Sequence, residues 1–257
     1  MTTPLLELKD VVVTVNSDTP EELNIMDHLN LTINEGDFIT VLGTNGAGKS
    51  TLFNVIGGDL PITSGQILLR GKDITHLSVE KRTKFLSRVF QDPKMGTAPR
   101  MTVAENLLLA QKRGQHRGLI PRNLKQQLPY FKEITQTMPN GLSERLNTPT
   151  GSLSGGQRQA LSFLMATIKK PDLLLLDEHT AALDPKTSTD LMQITNQSIN
   201  DEHLTALMIT HHLNDALVSG NRLIVLSHGQ IVFDVTGEQK QQLTSEQLYD
   251  YFSDLPN

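Results

Sequence analysis

The sequence predicts an α/β fold built on a mostly parallel sheet, with a block of helices inserted beside it. Three observations predict this. Short apolar runs typical of buried strands alternate with helical patterns along most of the 257 residues. The run 173–176 is four consecutive leucines, too apolar for a half-exposed sheet edge, so it belongs near the centre of a parallel sheet. Between Gln91 and Ser152 strand signals give way to helical ones, which reads as a subdomain.

Composition narrows the function classes. The length allows one large domain or a core with a subdomain. A net charge of -5 disfavours a nonspecific nucleic-acid binder. With no cysteine, disulfides, Cys-ligated zinc and thiol chemistry are excluded. No apolar run approaches the roughly 20 residues of a membrane span. The start, Met1-Thr2-Thr3-Pro4-Leu5, lacks a basic stretch followed by an apolar one, so no signal peptide is expected. A soluble chain is expected, with any membrane role running through a partner.

In chain order, residues 5–15 are rich in Val and Leu, and 29–33 alternate apolar with polar. Residues 16–22 read as a polar loop, and 38–42 form a strand after the Glu35-Gly36-Asp37 turn signal. A loop at 43–48 leads into a helix over 49–56, and 66–69 is another strand. Thr102 and Glu105 make a capping box for a helix carrying Val103, Leu107, Leu108 and Leu109. The basic insert 111–125 reads as a solvated loop, with acidic lipid headgroups the alternative contact. A helix over 157–169 stops at Pro171. Asp184-Pro185 opens a helix to about residue 200, 205–210 is a buried strand, and 223–226 with 231–235 form a hairpin around His228-Gly229. Thr244 and Gln247 cap a last helix.

The stretch Gly43-Thr44-Asn45-Gly46-Ala47-Gly48-Lys49-Ser50, followed by Thr51, fits G-x-x-x-x-G-K-[ST] between a strand and a helix. Such glycines let backbone N–H groups turn inward around a β-phosphate. Lys49 would bridge the β- and γ-phosphates of ATP, and the Ser50 hydroxyl would hold Mg²⁺. A plain strand-to-helix turn gives Lys and Ser at this spacing no structural purpose. Asp177 ends the leucine strand, where carboxylates of parallel sheets face the ligand crevice, and would hold Mg²⁺. Glu178 would polarise the attacking water as general base. The plainer alternatives are an N-cap and a solvated charge. Gln91 follows the strand Arg88-Val89-Phe90, where a neutral amide can reach Mg²⁺ and the lytic water. His211 follows another strand and could sense the γ-phosphate, although His212 competes for that assignment. Asp184 before Pro185 is ordinary capping, and a functional role can coexist with it.

Leu153-Ser154-Gly155-Gly156-Gln157 is a second anion-binding candidate. Ser154 and Gln157 form a capping box, and two glycines expose the first N–H groups of a helix. Two anion sites and one ATP imply that the second serves another molecule's nucleotide.

The order of these pieces resembles the ATP-binding subunits of ABC transporters, over nearly the whole chain. The resemblance implies one P-loop NTPase domain spanning 1–257. Residues 1–92 and 158–257 would form its core and an N-terminal antiparallel β subdomain; 93–157 would be a helical subdomain carrying the signature motif. It implies a head-to-tail dimer in which Ser154, Gly155, Gly156 and Gln157 contact the ATP held by the other copy's P-loop. Ser50, Gln91 and Asp177 would serve Mg²⁺, and Glu178, Gln91 and His211 would serve hydrolysis. Asp184, in Ala182-Leu183-Asp184, would cross the interface, and the segment after Gln91 would touch a permease at the cytoplasmic face of the membrane. Two positions depart from the family pattern: Val15 stands where an aromatic usually stacks on adenine, and His179 where Pro usually follows the Asp-Glu pair. Residues 89–99 and 177–187 resemble a bacterial importer group whose companions look like branched-chain amino-acid permeases and periplasmic-type binding proteins. That suggests import of an amino acid or similar solute. Nucleic-acid or ribosome ATPases of the family usually carry a long coiled-coil insertion or a second ATPase module; here 91–153 is short and the sequence shows one P-loop. An ATP-gated scaffold is disfavoured by the intact Glu178 and Gln91.

Overall fold

The computed structural model describes residues 4–16, 19, 21–115 and 123–253. The chain divides into two compact units, Met1–Arg82 with Leu204–Asn257, and Thr83–His203. Among the described residues no helix is long and apolar enough to cross a membrane.

The first unit begins with β1 (Pro4–Val15), β2 (Leu23–Asn34), β3 (Phe38–Gly43), α1 (Lys49–Gly57), β4 (Ser64–Leu69), β5 (Lys72–Asp73) and α2 (Val79–Arg82). Four of these strands form an antiparallel sheet in the order β2-β1-β4-β5. β2 starts six residues before the 29–33 run expected from the sequence, which it contains. Its early half escapes a period-2 search because its pairing with β1 shifts register between Val11 and Val13 and again between Val13 and Thr14. As an edge strand it also carries Asn24, Asp27 and His28, which suit solvent. Arg82 is 2 % exposed and donates to the carbonyls of Val55, Ile56, Ile74 and Thr75. Its bonds to Val55 and Ile56 tie the end of α1 to the segment at Ile74 and Thr75.

The second unit holds β6 (Leu86–Val89), α3 (Val103–Gln111), α4 (Leu124–Gln136), α5 (Gly155–Thr167), β7 (Leu173–Asp177) and α6 (Pro185–Asp201). β6 pairs parallel with β7, Val89 opposite Leu176, and all four leucines of β7 are fully buried. The capping boxes at Thr102–Glu105 and Ser154–Gln157 both form. The basic insert is not simply a solvated loop. Arg113 donates to the carbonyls of Ala166 and Lys169 at 3.2 and 2.6 Å, capping the end of α5. Burial lowers its pKa. Residues 116–122 of the insert lie outside the described residues.

The first unit resumes with β8 (Ala206–Ile209), α7 (Leu213–Val218), β9 (Arg222–Ser227), β10 (Gln230–Thr236), α8 (Gly237–Gln241) and α9 (Ser245–Ser253). β3 lies between β8 and β9 and runs parallel to both, while β10 pairs antiparallel with β9. This central place explains why every residue from Phe38 to Leu42 is buried. Leu42, Ala216, Leu223, Val225 and Leu248 form a core cluster that seats α7 and α9. The six-residue α7 was not expected, since so short a helix gives too little periodicity to read.

Candidate functional site

In the first unit the chain leaves β3 at Gly43 and re-enters helix at Lys49. A Cβ on Gly43 would lie 2.5 Å from the Leu226 carbonyl oxygen, so only glycine fits against β9. Gly48 caps α1 with φ of 100°, in the left-handed region that favours glycine. No side chain caps α1, and its first turn carries no acidic residue. The N-terminal N–H groups of this helix therefore suit an anion. Thr44, Asn45, Gly46 and Ser50 are exposed, Thr51 is half-buried, and Ala47 and Lys49 are buried. Lys49 Nζ donates to the carbonyls of Gly43 and Thr44 at 2.8 and 2.9 Å, which places the ammonium inside the loop. The turn between β9 and β10 braces this loop, because Gly229 N–H donates to the Ala47 carbonyl at 3.1 Å.

His211 follows β8 as Gly43 ends β3. Val41 is registered against Ile209, so both residues lie two positions further toward the carboxyl ends of adjacent parallel strands. Val15 is registered against Leu23, whose side chain is 60 % exposed.

In the second unit β7 delivers Asp177 and then Glu178. Gln91 Nε2 donates to Glu178 Oε2 at 3.2 Å, so the structure brings two predicted residues together. Glu178 has φ of 45°, a left-handed conformation unusual for its type. Arg88 Nη2 donates to Asp177 Oδ2 at 2.6 Å, and its guanidinium lies 4.9 Å from the centroid of the Phe90 ring. Gln159, on α5, donates to the Phe90 carbonyl at 3.1 Å, tying that helix to the residue before Gln91. His179 is buried, with Nε2 3.1 Å from Thr195 Oγ1. Burial pulls its pKa down to about 4, so the ring is neutral at pH 7. The residue in the place of the family's usual Pro therefore joins the end of β7 to α6.

Ser154 Oγ accepts from Gln157 N–H, and Gln157 Oε1 accepts from Ser154 N–H, both at 3.2 Å. Asp184 Oδ1 accepts from Thr187 N–H at 3.1 Å, and its bonds with Thr187 hold the carboxyl below its ordinary pKa. Sequence reasoning missed Arg88, Asn140, Gln159, Thr195 and the brace at Gly229. Each acts through a contact distant in sequence, and no local pattern marks them.

The sequence profile of the ABC transporter family matches residues 26–181. A tyrosine transport ATP-binding protein of Clostridioides difficile is 41 % identical over 248 residues, covering 96 % of this chain and 98 % of the relative. The ABC transporter ATP-binding protein YxdL of Bacillus subtilis is 33 % identical, covering 98 % of this chain and 94 % of the relative. The spermidine/putrescine import ATP-binding protein PotA of Haemophilus ducreyi is 33 % identical; 90 % of this chain aligns with 58 % of its length. Among solved structures, the ATP-binding cassette MJ0796, dimeric in a post-hydrolysis state with ADP and Pi, has a TM-score of 0.76 and 27 % identity, covering 90 % of this chain and 98 % of its own. The ADP conformation of the cassette MJ1267 also has a TM-score of 0.76, with 26 % identity over 98 % of this chain and 96 % of its own.

Proposed function

The chain belongs to the ABC transporter family as an ATP-binding, ATP-hydrolysing subunit, and on that premise we propose that it powers import of an amino acid or similar small solute through a membrane permease. The observation that carries the solute class is the 41 % identity to a tyrosine transport ATP-binding protein across 98 % of that relative. The two chains match end to end, so the likeness is not confined to a shared nucleotide cradle.

The side chains divide the work as follows. Backbone N–H groups of Gly43, Thr44, Asn45, Gly46, Ala47, Gly48 and the first turn of α1 cradle the phosphates, with Thr51 closing the loop. The Lys49 ammonium, already inside the loop, turns from the carbonyls of Gly43 and Thr44 to the β- and γ-phosphate oxygens of ATP. Ser50, Gln91 and Asp177 would hold Mg²⁺, whose charge would offset that of the phosphates; their hydroxyl, amide and carboxylate oxygens suit such a hard cation. Glu178 takes a proton from the attacking water, Gln91 steers the carboxylate and the water, and His211 hydrogen-bonds the γ-phosphate. Ser154, Gly155, Gly156 and Gln157 serve the ATP of a second copy in a head-to-tail dimer, and Asp184 reaches across the same interface. The aliphatic Val15 gives less base selectivity than a stacked ring.

The subunit works at the cytoplasmic face of the membrane, held there by the permease, with an extracytoplasmic binding protein delivering the solute. Nucleic acid is not a partner. The test is reconstitution in vesicles with the permease that co-purifies with it and that permease's binding protein. ATP turnover should rise with tyrosine or another amino acid outside the binding-protein face, and Lys49→Ala should abolish it. Turnover indifferent to every amino acid would overturn the solute class.

A further inference from the structure

Asn140 joins the two segments that carry the partner-facing residues. It stands in the left-handed region with φ of 64°, a conformation that Asn tolerates better than most side chains. Its carbonyl accepts from Gln157 Nε2 at 2.8 Å, and the same Gln157 closes the capping box on Ser154. Its own Nδ2 donates to Thr187 Oγ1 at 3.4 Å, while the Thr187 N–H is held by Asp184. A run of hydrogen bonds thus links Ser154, Gln157, Asn140, Thr187 and Asp184.

Packing at Gly156 supports the same link. A Cβ there would lie 2.7 Å from Thr187 Cγ2 and 3.0 Å from Asn140 Nδ2. The first turns of α5 and α6 therefore touch through Asn140 and Thr187, with no room for a side chain between them.

We propose that Asn140 is a positioning residue: it clasps the first turns of α5 and α6 together, so that residues 154–157 and Asp184 meet the second copy as one body. This rests on the reading that residues 154–157 serve the second copy's nucleotide and that Asp184 crosses the same interface. Asn suits the place because it combines a tolerated left-handed backbone with an amide donor.

The experiment compares Asn140→Gly, Asn140→Asp and Thr187→Val, with Ser154→Arg as the reference arm. Asn140→Gly keeps the backbone conformation and removes the amide; Asn140→Asp keeps backbone and shape and accepts a bond from the Thr187 hydroxyl instead. ATP affinity of the isolated subunit, measured with a fluorescent ATP analogue, should stay near wild type in all four, and Tm in the Asn140 and Thr187 variants; Ser154→Arg also removes the cap of α5 and should lower Tm. Asn140→Gly and Thr187→Val should each lower kcat and ATP-driven dimerisation about tenfold, and combining them should cost no more than either alone. Asn140→Asp should restore most of the loss. Wild-type kcat and dimerisation in Asn140→Gly, with Ser154→Arg inactive, would overturn the clasp alone. So would a fall in Tm and monomer ATP affinity that matches the fall in kcat. Normal hydrolysis and dimerisation in Ser154→Arg would instead overturn the reading beneath it.

Discussion

Gln91 donates its side-chain amide to the Glu178 carboxylate across 3.2 Å, and Glu178 holds its place with a left-handed backbone, φ 45°. Such a conformation costs roughly 1–3 kcal/mol and persists where surrounding structure imposes it, often at functional sites. Here the following residue, His179, is buried and bonded to Thr195, which fixes the chain just beyond the strained position. Glu178→Gln keeps the shape and removes the base. It should bind ATP with near wild-type affinity, lose at least about a hundredfold in turnover, and accumulate as an ATP-bound dimer on gel filtration. Ordinary steady-state hydrolysis would end the assignment of Glu178 as base.

Asp177 is paired with Arg88 at 2.6 Å, with side chains 11 % and 14 % exposed for Arg88 and Asp177 respectively. If Asp177 also serves Mg²⁺, the ion and the guanidinium stabilise the same carboxylate. Arg88→Met leaves a largely buried carboxylate without that cation and should cost about 3–5 kcal/mol in urea unfolding. Saturating Mg²⁺ and ATP should narrow the gap to wild type, because the ion replaces part of the lost charge. A variant as stable as wild type, or a gap unchanged by Mg²⁺ and ATP, would contradict the shared role.

How far the sequence foretold this arrangement follows from the range of the interactions. The loop at Gly43 to Lys49, the caps at Thr102, Ser154 and Asp184, and the four-leucine strand are local patterns, each readable within a few residues. Arg88 against Asp177 and Gln159 against Phe90 are pairings across 89 and 69 positions, which no periodicity encodes. Arg113 shows the same limit in a misread segment: its neighbours in sequence are polar, and only the fold reveals that it caps α5. The early half of β2 was hidden by register shifts that break the alternation.

Thr195 is fully buried on α6, and its hydroxyl is the partner of His179 Nε2. Thr195→Val preserves shape and leaves a buried ring nitrogen without a partner, at a cost of about 1–3 kcal/mol. Tm should fall by several degrees while the ATP affinity of the isolated subunit is unchanged, since the bond lies behind the site. An unaltered Tm would show that His179 gains nothing from Thr195.

Lys240 is 2 % exposed, and its ammonium donates to the carbonyls of Ser219 and Gly220, just beyond the end of α7. Burial lowers its pKa from 10.5 to about 8. Between those two values the folded state has released a proton that the unfolded chain still binds, so unfolding takes up a proton. The stability linked to this group is therefore fully present above pH 10.5, falls as pH drops, and is lost below about pH 8. Lys240→Met has no such dependence, and every other titration is common to both proteins. The unfolding free energy of wild type minus that of Lys240→Met should rise by roughly 2 kcal/mol from pH 8 to 9.5, at about 1.4 kcal/mol per pKa unit. Urea melts of both proteins across that interval measure the difference directly; a flat difference would mean that the ammonium is as well solvated by the two carbonyls as by water.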